Sequence, residues 1–333
     1  MQRVRPTRHQ PAAVIPWTGG TWIAPVDGRP GSDRSNPSQS AAQVFWRWEC
    51  ANDLPMSDRV VAVRQAAGGQ WRAVVSPANP ALRPFVVGHY VGWTEATTHI
   101  VRRRELPTLF VPVILSFGAP FRIAGADNAS FFAGAHQRYS LVESSGMVEC
   151  LQVNLTPDAA YRLLRNPMDD FADRIMSLHD VLGTDAARLI ERLGNTKGWP
   201  ARFDILDGFL SGRLLGATGL SPEVRLSLGL MAEALGDIAI GRLALETGHS
   251  RKRLIRAFRH QIGLPPKTIA RVLRFNNAVR QLAGPAPNLA VIAQDAGYFD
   301  QAHFNRDFRA FSGVTPTAYL RERDPELVPL SQG

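Results

Sequence analysis

The sequence predicts an α+β chain: a β-rich N-terminal domain followed by an all-α C-terminal domain, in which two helix-turn-helix units are joined by one long helix. Three observations carry this reading. Short branched apolar runs such as "LFVPVILSF" (109–117), and the alternating "CLQVNL" (150–155), lie before residue 156, and such runs make strands. After residue 156 the punctuation changes to capping residues and glycine stops. The last hundred residues then repeat one pattern twice.

The first 55 residues read as a poorly ordered leader. "APVDGRPGSDRSNPSQSAAQ" is too rich in Gly, Pro, Ser and Asp to bury the apolar surface that ordering demands. Yet four of the seven tryptophans (Trp17, Trp22, Trp46, Trp48) fall there. Either the leader docks a short segment on the body, or the natural start is later, at Met56. An N-terminal domain is expected over 70–215. Strand signals end at Leu155, and Thr156-Pro157 reads as an N-cap and first-turn proline opening "DAAYRLL". Helical patterns follow, halted at Gly183, Gly194, Gly216 and Gly236. The helical C-terminal domain is expected over 222–323, with 324–333 as a tail.

The repeat pairs "LALETGHSRKRLIRAFRHQIGLPP" (243–266) with "IAQDAGYFDQAHFNRDFRAFSGVTP" (292–316). In each copy an alanine (Ala244, Ala293) stands four residues before a glycine (Gly248, Gly297). In each, a phenylalanine (Phe258, Phe308) stands five before a second glycine (Gly263, Gly313), and proline follows at Pro266 or Pro316. This predicts a short helix, a tight glycine turn, an N-cap (Ser250 or Asp300), a second helix and a glycine stop. The units are expected at 238–263 and 288–313.

Leu254, Phe258 and Ile262 define the buried stripe of the first copy, with Phe304, Phe308 and Phe311 in the second. Opposite lie Arg251, Lys252, Arg253, Arg256, Arg259 and His260, and then Gln301, Asn305, Arg306 and Arg309. Arginine, glutamine and asparagine make paired hydrogen bonds to base edges, and cations neutralise phosphates. "PPKTIARVLRFNNAVRQL" lacks glycine and further proline from 267 to 282, so it predicts a connector helix about 24 Å long. Ile269, Val272, Leu273, Val279 and Leu282 form its buried face, and Arg271 and Arg274 point elsewhere. Asn288 caps the next helix. The charge agrees: of a net +9, the segment from Asp237 to Arg323 holds fourteen Lys and Arg against six Asp and Glu. A basic domain on a nearly neutral body is the footprint of a polyanion, double-stranded DNA or, as the competitor, an anionic membrane surface.

The paired units, the single connector and the closing "GYFDQAHFNRDFRAFSGVTPTAYL" resemble the AraC/XylS family of bacterial transcription regulators, over about residues 222 to 320. "NPALRPFVVGHYVGWTE", "LFVPVILSFGAPFRI" and "SSGMVECLQVNLTPDAAYRLL" resemble the sensor-like domain of one branch of that family. The resemblance implies a cupin-like or related N-terminal fold, promoter binding, and modulation by a small effector whose site is unknown. It leaves RNA polymerase open as a partner. It also implies that Lys252, Ile255 and Arg256 meet bases in the first unit, and Gln301, Ala302, Asn305 and Arg306 in the second. Ala302 departs from the polar residue usual in the family, and Ile269 from the usual aromatic. Ile255 either touches a thymine methyl or extends the core edge. His303 either donates to DNA or is a satisfied surface histidine.

No catalytic, metal or cofactor site is expected. His89, His99, His136, Glu143 and Glu149 are scattered, and "GAHQRYSLVES" offers only His136 and Glu143 where metal-binding cupins have a closer set. No GxSxG, P-loop or GxGxxG motif sits between a strand and a helix. Cys50 and Cys150 read as free thiols of a reducing compartment. "LPTLFVPVILSFGAPF" is broken by Pro107, Pro112 and Pro120 and is too short to span a bilayer. The basic start lacks a secretory core, so a cytoplasmic protein is expected. Two readers on one chain fit a monomer or a homodimer. The alternatives are a β-rich small-molecule or metal enzyme with a DNA-targeting tail, and a non-specific anionic-surface binder. Uncharged amides on the second reader argue against the latter.

Overall fold

The computed structural model describes residues 14–17, 61–66, 69–284 and 287–323. The rest of the expected leader, with Cys50 and Met56, and the tail 324–333 lie outside the described residues.

Two strands of 16 residues, β4 (Tyr90–Glu105) and β9 (Ser140–Leu155), pair antiparallel and organise the β-rich part. Their register shifts between Thr97 and Val101, a local bulge that bends a sheet. On one side of the bend β4 takes β3 (Gly69–Ser76), which takes β2 (Val61–Ala66), and β9 takes β5 (Val111–Ser116). On the other, β4 takes β1 (Val14–Trp17) in parallel at Arg102–Glu105, and β9 takes β6 (Phe121–Ile123), the partner of β7 (Ala126–Asn128). So one short piece of the leader docks on the body. Strands β8 (Phe131–Ala133) and β10 (Ile175–Ser177) extend the sheet beyond β5.

"LFVPVILSF" is apolar throughout because both faces of β5 are covered. Val113 and Leu115 pack with α1 (Pro157–Leu164), α3 (Thr184–Asn195) and α4 (Trp199–Leu214), while Ile114 joins Trp93, Phe121, Phe131 and Cys150 on the other face. The alternation of "CLQVNL" has the same origin, but its polar side is not solvated: Gln152 and Asn154 are buried, and the Gln152 amide donates to Asn154 Oδ1 at 2.9 Å. Thr156 caps α1 by accepting from the Ala159 amide at 3.2 Å. Helix α2 (Leu178–Leu182) ends at Gly183, and α3 ends at Asn195, one residue past Gly194.

After α5 (Pro222–Glu233) come α6 (Ile240–Thr247), α7 (Arg251–Ile262), the connector α8 (Pro266–Leu282), α9 (Leu289–Asp295), α10 (Gln301–Ser312) and α11 (Pro316–Arg323). Helix α8 serves two cores. Ile269 and Ala270 join Leu243, Leu254, Phe258 and Ile262. Val272, Phe275, Ala278 and Leu282 join Ile292, Phe304, Phe308 and Phe311, with the Phe275 ring 5.2 Å from Phe308 and 5.0 Å from Phe311. Leu273 and Val279 are only half-buried.

Arg271 and Arg274 do not point away. Arg271 donates to both oxygens of the buried Asp307, at 2.8 and 3.3 Å, and lies 5.0 Å over the Phe311 ring; Arg274 lies 5.7 Å over Tyr298. Among the described residues no helix is long and apolar enough to cross a membrane. Arg271→Ala strands the Asp307 carboxylate, so it should destabilise the C-terminal helices by roughly 2–3 kcal/mol. Urea unfolding read at the tyrosines, with Asp307 mutated in a double-mutant cycle, measures this.

Candidate nucleic-acid interface

Each unit turns at a glycine and caps its second helix in the same way. Gly248 has φ 66°, and the amide after it, His249, donates to Ala244 O at 3.1 Å. Gly297 has φ 73°, and Tyr298 donates to Ala293 O at 2.9 Å. Ser250 Oγ then accepts from Arg253 N at 3.3 Å, and Asp300 Oδ1 from His303 N at 2.6 Å. Gly263 and Gly313 end α7 and α10 in the left-handed region. These are the backbone conditions that keep the first turn of each second helix presented and intact.

The faces opposite the cores are open. Ser250, Arg251, Lys252, Arg253, Arg256, Arg259 and His260 are exposed along α7, and Ile255 is half-buried. Arg253 stands 3.8 Å from Glu223, whose carboxyl is held low first by a backbone hydrogen bond. On α10, Gln301, Ala302, Arg306 and Arg309 are exposed, while His303 and Asn305 are half-buried. Asn305 Oδ1 is enclosed and has no hydrogen-bond partner among the described residues. His303 Nδ1 accepts from the Phe299 amide at 3.4 Å, which places the neutral ring's proton on Nε2, and the ring stands edge-on to Tyr298. Phe299 itself is 92% exposed. Reasoning from apolar stripes missed it, since it lies outside the Phe304–Phe308 spacing; its place directly before the Asp300 cap was the available signal.

Residues 243–322 match a family model described as a helix-turn-helix domain, and residues 75–177 match one described as a domain of unknown function (DUF6597). The C-terminal region is an AraC-type helix-turn-helix domain. Its type is that of DNA-binding transcription regulators. No curated protein matches the chain significantly. Among solved structures, the C-terminal domain of the response regulator AraT from Geobacillus stearothermophilus is 23% identical, over 34% of this chain and 93% of that one, with a TM-score of 0.31. ToxT from Vibrio cholerae is 13% identical, over 67% of this chain and 98% of that one, with a TM-score of 0.40. The DNA-binding domain of AdpA, solved with a target DNA, is 24% identical, over 32% and 99%, with a TM-score of 0.30.

The AraC-type domain rests on the β-rich part through two segments that also wall a cavity of about 80 Å³. In the segment after β4, Leu106, Pro107, Thr108 and Phe110 line the cavity. Leu106 also enters the core of the second unit, Leu109 packs on the first, and Pro107 O accepts from Asn276 Nδ2 at 2.8 Å. In the segment before β9, Gly134, His136, Arg138 and Ser140 line the cavity. There Ala135 enters the first core and Tyr139 packs on the second, its amide donating to Phe311 O at 2.8 Å.

The rest of the wall is mostly apolar, with Trp93, Ile114, Phe121 and Phe131, but also holds Arg103, Glu105 and Gln152. Arg103 is engaged by Glu95 and Ser144. Gln152 Oε1 is buried and has no hydrogen-bond partner among the described residues. Burial pushes the Glu105 carboxyl up to about 8, with Arg103 pulling it the other way. The scattered acid and histidine residues do not converge: His89 is buried, His136 turns Nδ1 to Gly134 O, and Glu143 pairs with Arg102 at 2.7 Å. Among the described residues no group of three His, Cys, Asp or Glu could hold a metal. Cys150 is a buried thiol raised first by burial.

A β-carbon on Gly297 would fall 3.1 Å from Asp237 Cγ, in addition to the positive φ. Gly297→Val should therefore cost at least about 2 kcal/mol in the second unit and be visible as loss of the α10 signal in hydrogen exchange. Glu105 binds its proton more tightly folded than unfolded, so its stabilising share is full below about pH 4 and is lost as pH rises through about 8. Glu105→Gln should match the parent chain at pH 5 and exceed its stability by on the order of 2 kcal/mol at pH 9, by thermal unfolding at both pH values.

Proposed function

We propose that the chain is a sequence-specific DNA-binding transcription regulator of the cytoplasm, whose 70–215 region senses a small effector and whose 222–323 region binds the duplex. One observation carries the DNA-binding part: two equivalent capped helices, hung on one connector, leave their Arg, Lys and Gln faces uncovered. Such helices enter major grooves with their N-terminal residues at base edges. On α7, Arg256 reads a base pair, flanked by Lys252 and Ile255, while Arg251, Arg253 and Arg259 meet phosphate. On α10, Gln301, Ala302, Asn305 and Arg306 face bases, and His303 donates from Nε2. Asn305 must turn its amide outward to do so, since its Oδ1 is enclosed.

The effector reading is supported by the cavity, whose walls alternate between residues facing its interior and residues packed on the two helical units. A ligand that pushes on Phe110 or Arg138 strains the seats of both readers. The wall selects for a mostly apolar molecule with a hydrogen-bond donor for Gln152 Oε1.

Selection of bound duplexes from a random library with the full chain tests the first part; no preference among duplexes would refute it. At the selected site Arg256→Ala should cost about 1–3 kcal/mol and relax the choice of one base pair. Arg259→Ala should weaken every duplex evenly and reduce the salt slope by about one.

A further inference from the structure

We propose that Phe299, together with the exposed Ala302, reads thymine methyl groups, so that the second unit adds apolar selection to its polar base contacts. This rests on the DNA-binding reading above and adds a residue and a base to it. Phe299 is 92% exposed directly before the cap of a helix whose phenylalanines, Phe304, Phe308 and Phe311, are buried. It is not a loose end: its amide is tied to His303 Nδ1, and its neighbours Tyr298 and Phe304 are core residues. A large ring held in water by an ordered turn is unfavourable in the free protein, and covering it is favourable on binding.

The two readers differ most at the end that meets bases. The first turn of α7 carries Arg251, Lys252 and Arg253, all exposed. The matching turn of α10 carries Asp300, Gln301, Ala302 and His303, with no Lys or Arg. With a carboxylate at its cap and no cation in it, this turn is poorly suited to phosphate. It fits uncharged base edges, and the apolar feature a major groove offers is the C5-methyl of thymine. Arg309, further along α10 and exposed, remains to hold the backbone.

The test uses the full chain and the duplex obtained by selection, with each thymine replaced in turn by deoxyuracil, which removes only the methyl. At one or two thymines the parent chain should lose about fourfold in affinity per methyl removed. Phe299→Ala should unfold at the parent temperature, bind the thymine duplex weaker by a similar factor, and no longer distinguish thymine from uracil there. The inference is overturned if Phe299→Ala binds as tightly as the parent chain, if it still discriminates, or if the parent chain is indifferent to every replacement while remaining selective among duplexes. A parent chain with no selectivity at all overturns the DNA-binding reading itself, which separates the two failures.

Discussion

Helix α8 can hold two readers at a fixed separation only because both press on it at close range. Gly236, with φ 86°, lets the entry to the first unit approach so closely that a side chain there would collide with the Ala270 carbonyl. The second unit is held from the very next residue, by Arg271 on Asp307, and just over a turn on by the Phe275 ring against Phe308 and Phe311. Each unit thus borrows part of its core from the same 17-residue helix, about 25 Å long. Rotating one unit against the other would open a core. The spacing of the two second helices is therefore a property of packing.

The far ends of the readers are fixed as well, and by the N-terminal body. The two stop glycines, equivalent in the repeat, both lie under it: Gly263 faces Met168 O, where a side chain would come within 2.8 Å, and Gly313 faces the Tyr139 ring. The turns that end α7 and α10 thus serve two purposes, closing the helices and clearing room for the seat. Since Tyr139 and Ala135 belong to a segment that also walls the cavity, a cavity ligand biases the readers only as far as it favours one arrangement of that segment over another.

Much of this was legible in the sequence because the signals were local. The glycine spacings and the caps at Ser250, Asp300, Asn288 and Thr156 depend on a few neighbouring residues, and the strand at 109–117 announces itself by composition. What was not legible depends on residues far apart in the chain. Gln152 and Asn154 look like the solvated side of a strand, but the bend between Thr97 and Val101 folds that side inward. Arg271 and Arg274 look like surface charges until α10 supplies Asp307 and the turn before it supplies Tyr298. Arg103 and Glu105 carried no motif, because a cavity is defined by the strands that meet around it.

That cavity is where the fold gives up stability. Trp93, Ile114 and Phe131 would pack at lower cost against leucine than around empty space. The same wall encloses an amide oxygen with no partner among the described residues and carries a carboxyl that burial pushes up, each of which an apolar residue of similar volume would relieve. Local rules are broken together in one place, beside segments that reach both helical units, which is the pattern that supports the effector proposal. Gln152 Oε1 is an acceptor on a wall that is otherwise mostly apolar. Of the two arginines on this wall, Arg103 is already engaged by Glu95 and Ser144, while Arg138 is exposed.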